Sequence, residues 1–193
     1  MPGPLLSVSI YGAINRGVKG GISAVVGHAI IEAITAVALL VGLKQFLVYA
    51  NVQGVIGIAG GIILIWMGIN MLRNRGELNL EAKDAKLSRT YVFQGMFATL
   101  SNPYWYIWWA TVGLNYISIS TKKGIYGFPA FYFGHISSDF IWYGIISYLL
   151  ARGVKKISPK IYNSIVIVLG CFLIFMGISF IVFGVSKLFA IRT

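Results

Sequence analysis

The chain is 193 residues long, with 58% of them apolar and only 11% charged, so it cannot hide its apolar surface in one water-facing core. Its balance of 16 Lys and Arg against 5 Asp and Glu would ordinarily raise nucleic acid, but the cations sit between apolar runs and form no stripe along a helix. Cys171 is the single cysteine and lies in an apolar run, which removes a disulfide framework and a Cys-x-x-Cys relay.

The sequence opens on Pro2-Gly3-Pro4 and a short apolar stretch at 5–14. That stretch is too short for about 30 Å of hydrocarbon, and with no basic segment ahead of it, it does not resemble a cleavable signal. The expectation is a native first span that starts upstream of Met1. Runs at 22–43, 52–72, 91–118, 128–150 and 161–185 each supply the roughly 20 residues a spanning helix needs. They predict five complete spans. A polar segment at 77–90 holds Glu77, Glu81 and Asp84.

Within the third run, Asn102-Pro103 is a helix break, because proline removes a backbone donor and crowds the preceding turn. It matches the break at Pro2, Gly3 and Pro4. Carbonyls freed at such breaks, inside a membrane, can line a site and grip a polar substrate. Tyr104, Trp105, Tyr106, Trp108 and Trp109 follow. They read most simply as an interfacial aromatic belt, and otherwise as a vestibule making cation–π contacts with an ammonium group. Gly61 and Gly68, like Gly170, Gly177 and Gly184, recur every seven residues and mark close helix packing.

Two stretches repeat each other: Gly17, Gly20, Gly27, His28 and Glu32 recur in order and spacing as Gly124, Gly127, Gly134, His135 and Asp139. A second echo relates 61–69 to 170–178. The chain therefore divides into a first repeat at 1–76 with a partial first helix, a polar linker at 77–90, and a second repeat at 91–193. With the first helix restored, each repeat has three spans, and an odd number turns the halves over. The expected fold is an all-α integral membrane protein, a helical bundle of two inverted three-helix repeats with proline-broken helices. Arg16 and Lys19, the segment from Arg73 to Arg89, and that from Arg152 to Lys160 fall on one side and carry most of the positive charge. The positive-inside rule makes that side, with the 73–90 linker, cytoplasmic in a multi-pass cell-membrane protein. Lys44, Lys122, Lys123, Lys187 and Arg192, with both termini, fall outside.

Glu32 and Asp139 are the acidic residues within the spans. A carboxylate near mid-bilayer costs roughly 2.5–3.5 kcal/mol on insertion scales, so it tends to face a cavity or partner. A protonated acid bonded between helices for packing alone is the plainer explanation, and a histidine bonded to a neighbouring carbonyl is the plainer one for His28 and His135. Each acid, however, follows its histidine by four residues, on the same helical face. One site can then gather two imidazoles and two carboxylates, able to load and release protons near neutral pH.

Pro2-Gly3-Pro4, the stretch from Arg16-Gly17 to Gly27 with its acid at Glu32, the Gly61 to Gly68 helix, and Phe97 to Asn102-Pro103 resemble the lysine exporter (LysE-type) translocator family over essentially the whole chain. The resemblance implies a six-span exporter of amino acids or related small metabolites, driven by the proton gradient and often oligomeric. Its partners would be the small-molecule substrate, protons and lipid, with no cofactor and no nucleic acid. Tyr104 stands where a basic residue commonly follows the Asn-Pro pair, so substrate preference does not carry over. Two other functions fit the residues: export of a divalent metal held by His28, Glu32, His135 and Asp139, or a non-transporting membrane scaffold. No zinc-protease or nucleophile-elbow pattern points to an enzyme.

Overall fold

The computed structural model describes residues 3–42, 49–73, 89–153 and 158–189. Pro2, Lys44, Glu77, Glu81, Asp84 and Arg192, and with them nearly all of the polar linker, lie outside the described residues. Among the described residues every regular element is a helix.

Helix α1 (Pro4–Leu40) starts with proline at its first position, where the missing N–H costs nothing, behind Gly3 in an extended conformation. It is not one rod. Arg16 (φ −131°, ψ 15°) and Gly17 (φ +65°, ψ −164°) interrupt it, the latter in the left-handed region that glycine enters freely. The arms at 4–15 and 18–40 fold back on each other. The Ser9 hydroxyl donates to the Gly21 carbonyl at 3.4 Å, and a Cβ on Gly12 would lie 2.6 Å from the Gly20 oxygen. Small residues on both arms thus permit the hairpin. The stretch at 5–14, too short to span, is an ordered half-helix packed beside the next one.

Helices α2 (Ala50–Arg73) and α7 (Pro159–Phe189) form an antiparallel pair along the seven-residue glycine rows. Gly61 meets Gly177, Gly68 meets Gly170, and Gly54 and Gly57 meet Gly184. A Cβ on Gly177 would lie 2.6 Å from the Gly61 oxygen, so the backbones touch with no side chain between them. Helix α3 (Arg89–Leu100) lies on the second arm of α1, with Gly95 against Ala24 and Gly27 against Val92 and Met96.

After the break at Ser101 and Asn102, the chain continues as α4 (Pro103–Trp108), a π-helical turn (Trp109–Gly113) and α5 (Leu114–Thr121). The Asn102 side chain caps α4 by accepting the Tyr104 N–H at 3.1 Å. Gly124 (φ +83°), the repeat partner of Gly17, turns the chain toward α6 (Gly127–Gly153).

Among the described residues, three helices, Pro4–Leu40 counted across its kink, Ala50–Arg73 and Lys160–Phe189, are long and apolar enough to cross a membrane, against the five runs expected. The other two differ for visible reasons: 91–118 is interrupted at the Asn-Pro break, and α6, with 27 residues, carries His135, Ser137, Ser138 and Asp139. Large apolar side chains such as Trp66, Val168, Phe175 and Val182 point outward, as lipid-facing surfaces require. Inside, Leu64, Tyr162, Val166, Leu173 and Phe180 tie α2 and α7 to α1, and a second cluster joins Ile31 and Leu39 to Trp105, Trp109 and Ile117.

Candidate functional site

The second arm of α1 and helix α6 cross at their repeated motifs, which brings His28, Glu32, His135 and Asp139 into one cluster. His28 Nε2 lies 3.3 Å from Glu32 Oε1 and 3.5 Å from Asp139 Oδ2. His135 Nε2 lies 3.1 Å from Glu32 Oε2 and 4.0 Å from Asp139 Oδ2. Each imidazole therefore faces both carboxylates. Glu32 is almost wholly buried, with 2% of its side chain exposed, whereas Asp139 keeps 26%.

The surroundings fix these groups in place. The indole N–H groups of Trp105 and Trp109 both donate to Glu32 Oε1, at 3.0 and 3.1 Å. Four residues apart on a helix, they share a face, and that face is turned toward the acid, with a π-turn following at Trp109–Gly113. Glu32 Oε2 and His135 Nε2 face each other at 3.1 Å, and neither atom is hydrogen-bonded to any other group. The His135 ring is clamped by Trp108, stacked with centroids 4.9 Å apart.

Thr99 assigns the tautomer of His28. Its hydroxyl donates to the Gly95 carbonyl at 2.8 Å, so its oxygen accepts from His28 Nδ1 at 2.9 Å, and the ring proton sits on Nδ1. Nε2 then presents a lone pair to two carboxylate oxygens. Three electron-rich atoms this close call for a positive charge among them, either a proton or a metal cation.

A cavity of about 330 Å³ opens beside the cluster and is lined by all four ionisable residues together with Gly3 and Asn102 from the two breaks. Pro4 and Pro103 are buried just behind those lining residues. Pro2 lies outside the described residues. The break leaves the Leu100 carbonyl without a helical partner, but the Tyr106 hydroxyl donates to it at 3.0 Å, so the fold itself answers that group. Tyr104, Trp105, Trp108 and Tyr143 complete the apolar wall.

The aromatic run is thus not simply an interfacial belt. Trp105 and Trp109 are buried on the acid, while Tyr104 is 59% exposed. Sequence reasoning missed Trp105 and Trp109 as partners of Glu32, and missed Thr99 altogether. Their signal was the four-residue spacing of the indoles and of Thr99 from Gly95.

An all-helical, lipid-facing bundle with an ionisable cluster buried beside two helix breaks is the build of a membrane transporter. A family model described as LysE type translocator matches residues 1–184, and the chain belongs to that family, whose members are transporters rather than enzymes. It is also similar to the chemotactic transduction protein ChpE of Pseudomonas aeruginosa, at 28% identity over 149 residues, covering 73% of this chain and 70% of the relative. No solved structure matches the chain.

Proposed function

We propose that the protein exports amino acids or related small metabolites across the cell membrane in exchange for protons, with the cavity as the substrate site. The observation that carries this reading is convergence: four ionisable side chains and both helix breaks border one cavity. Its volume, about 330 Å³, sits at the small end of ligand pockets and suits a metabolite. Glu32 and Asp139 would take an ammonium group when their shared proton leaves, Tyr104 and Trp108 would flank it, and the two histidines would tune the exchange.

Alternating access would come from two inverted repeats rocking about the cluster. Supporting this, α2 and α7 are counterparts in the two halves and run antiparallel. Exchanging Gly61 with Gly170 and Gly68 with Gly177 turns each of their two contacts into the other. In the same reading the polar linker is cytoplasmic and the protein assembles as a homo-oligomer.

Efflux of labelled amino acids from proteoliposomes under an imposed pH gradient tests the proposal, with Glu32→Gln as control. Efflux that follows the gradient and collapses in the variant supports it. Efflux indifferent to the gradient would remove the coupling, and no efflux beside intact folding would favour a scaffold.

A further inference from the structure

We infer that the His28, Glu32, His135 and Asp139 cluster binds one divalent first-row transition metal ion of the zinc class. This goes beyond the transport reading: the ion would share Glu32 and Asp139 with the proposed ammonium site, and so would hold the cluster while that site is free of substrate.

The donor set comes first. Two imidazole nitrogens and two carboxylates suit a borderline ion, whereas calcium and magnesium call for six or more oxygens that the cluster does not offer. The spacing is equally specific. Bonds of about 2.0–2.2 Å place neighbouring ligand atoms of a tetrahedron about 3.3–3.6 Å apart. One donor atom each of His28, Glu32 and Asp139 lies within 4.8 Å of the others, with His28 Nε2 3.3 Å from Glu32 Oε1 and 3.5 Å from Asp139 Oδ2. His135 Nε2, 3.1 Å from the other Glu32 oxygen and 4.0 Å from Asp139 Oδ2, stands alongside to close in as the fourth ligand. The last of these separations involves Asp139, the most exposed of the four and so the freest to close in.

The supporting shell has the form a metal site requires. A ligating histidine donates its other ring N–H outward, and Thr99 accepts that bond from His28, turning the Nε2 lone pair inward. Two indole N–H groups hold Glu32 through Oε1, leaving Oε2 to its 3.1 Å contact with His135 Nε2. An ion would satisfy both atoms at once. It can enter from the cavity, which Asp139 lines.

Cobalt(II) titrated into the purified full chain in detergent tests the inference, since tetrahedral coordination changes its visible spectrum and zinc should displace it. The expected result is one equivalent per chain, lost in His135→Ala and in Glu32→Gln. Asp139→Asn makes the same test where burial, and hence the risk of misfolding, is least, and it too should lose the tetrahedral spectrum. Thr99→Val should keep the spectrum while weakening affinity by about 10–100-fold, with Thr99→Ser restoring it. An unchanged aqueous cobalt spectrum would overturn the inference, as would binding that persists in a folded Asp139→Asn, His135→Ala double variant. Proteoliposomes loaded without metal keep the two proposals apart. Amino-acid efflux from a protein that ignores cobalt removes the metal site alone, and cobalt binding without efflux removes the transport reading alone.

Discussion

The second arm of α1 and helix α6 carry the same motif in different surroundings. Gly27 and His28 lie under α3, with Gly27 against the Val92 carbonyl and the Met96 amide and His28 bonded to Thr99, while Glu32 lies under Trp105 and Trp109. Gly134, the counterpart of Gly27, has nothing within 4 Å of where a Cβ would stand. Glu32 is accordingly sealed while Asp139 stays a quarter exposed. Identical spacing thus yields a fixed acid and a movable one. The difference comes from what packs over each acid, Trp105 and Trp109 on Glu32 and the cavity beside Asp139, not from the spacing of the motif.

The largest effect should come from filling the covered glycine. Gly27→Ala puts a methyl group onto the backbone of α3, 2.9 Å from the Met96 nitrogen, and neither backbone atom can turn aside. Separating the helices should cost about 3 kcal/mol, the upper part of the range for overpacking. Gly134→Ala meets open space, and replacing glycine in a helix should stabilise by about 0.5–1 kcal/mol. Denaturant unfolding in detergent checks both. Equal effects at the two positions would break the comparison.

The indoles sharpen it next. Trp109→Phe removes a buried hydrogen bond to Glu32 and leaves its acceptor short of a donor, at a cost of about 1–3 kcal/mol. Trp108→Phe keeps an aromatic ring against His135 and should cost less than about 1 kcal/mol. If unfolding ranks the two the other way, Glu32 does not depend on its indole donors.

Much of this site was legible before any coordinates. The four-residue step from each histidine to its acid predicts a shared face, and duplication predicts two such faces, which is what the crossing of α1 and α6 brings together. Proline marked the break at 101–102 and the start of α1 at Pro4 because it acts through its own missing donor. The four-residue spacing of Trp105 and Trp109 predicts a shared face, but which way that face turns depends on how α4 packs against α1, and residue type leaves no mark of that. Gly17 and Gly124 showed as a repeat, but only their backbone angles explain it: each stands at a turn with φ of +65° or +83°. The hairpin at 4–40 was likewise hidden, because a run of small residues at Gly12, Gly20 and Gly21 looks the same in a straight helix as in one folded on itself.

The two helix breaks extend the comparison to its smallest terms. Asn102 caps α4 through its side chain, so Asn102→Ala should cost about 1 kcal/mol. Gly3 occupies the corresponding position before Pro4, extended at φ −142° and ψ −178°, with no side-chain cap. That conformation is open to any residue, so Gly3→Asn copies the second break into the first without strain. The gain should be only a few tenths of a kcal/mol, because glycine is already a fair cap. Unfolding of the single and paired variants measures it. A gain at Gly3 matching the loss at Asn102 would mean that both breaks hold their helices through the cap. A loss at Gly3 would mean instead that the first break keeps its glycine for the space it leaves in the cavity.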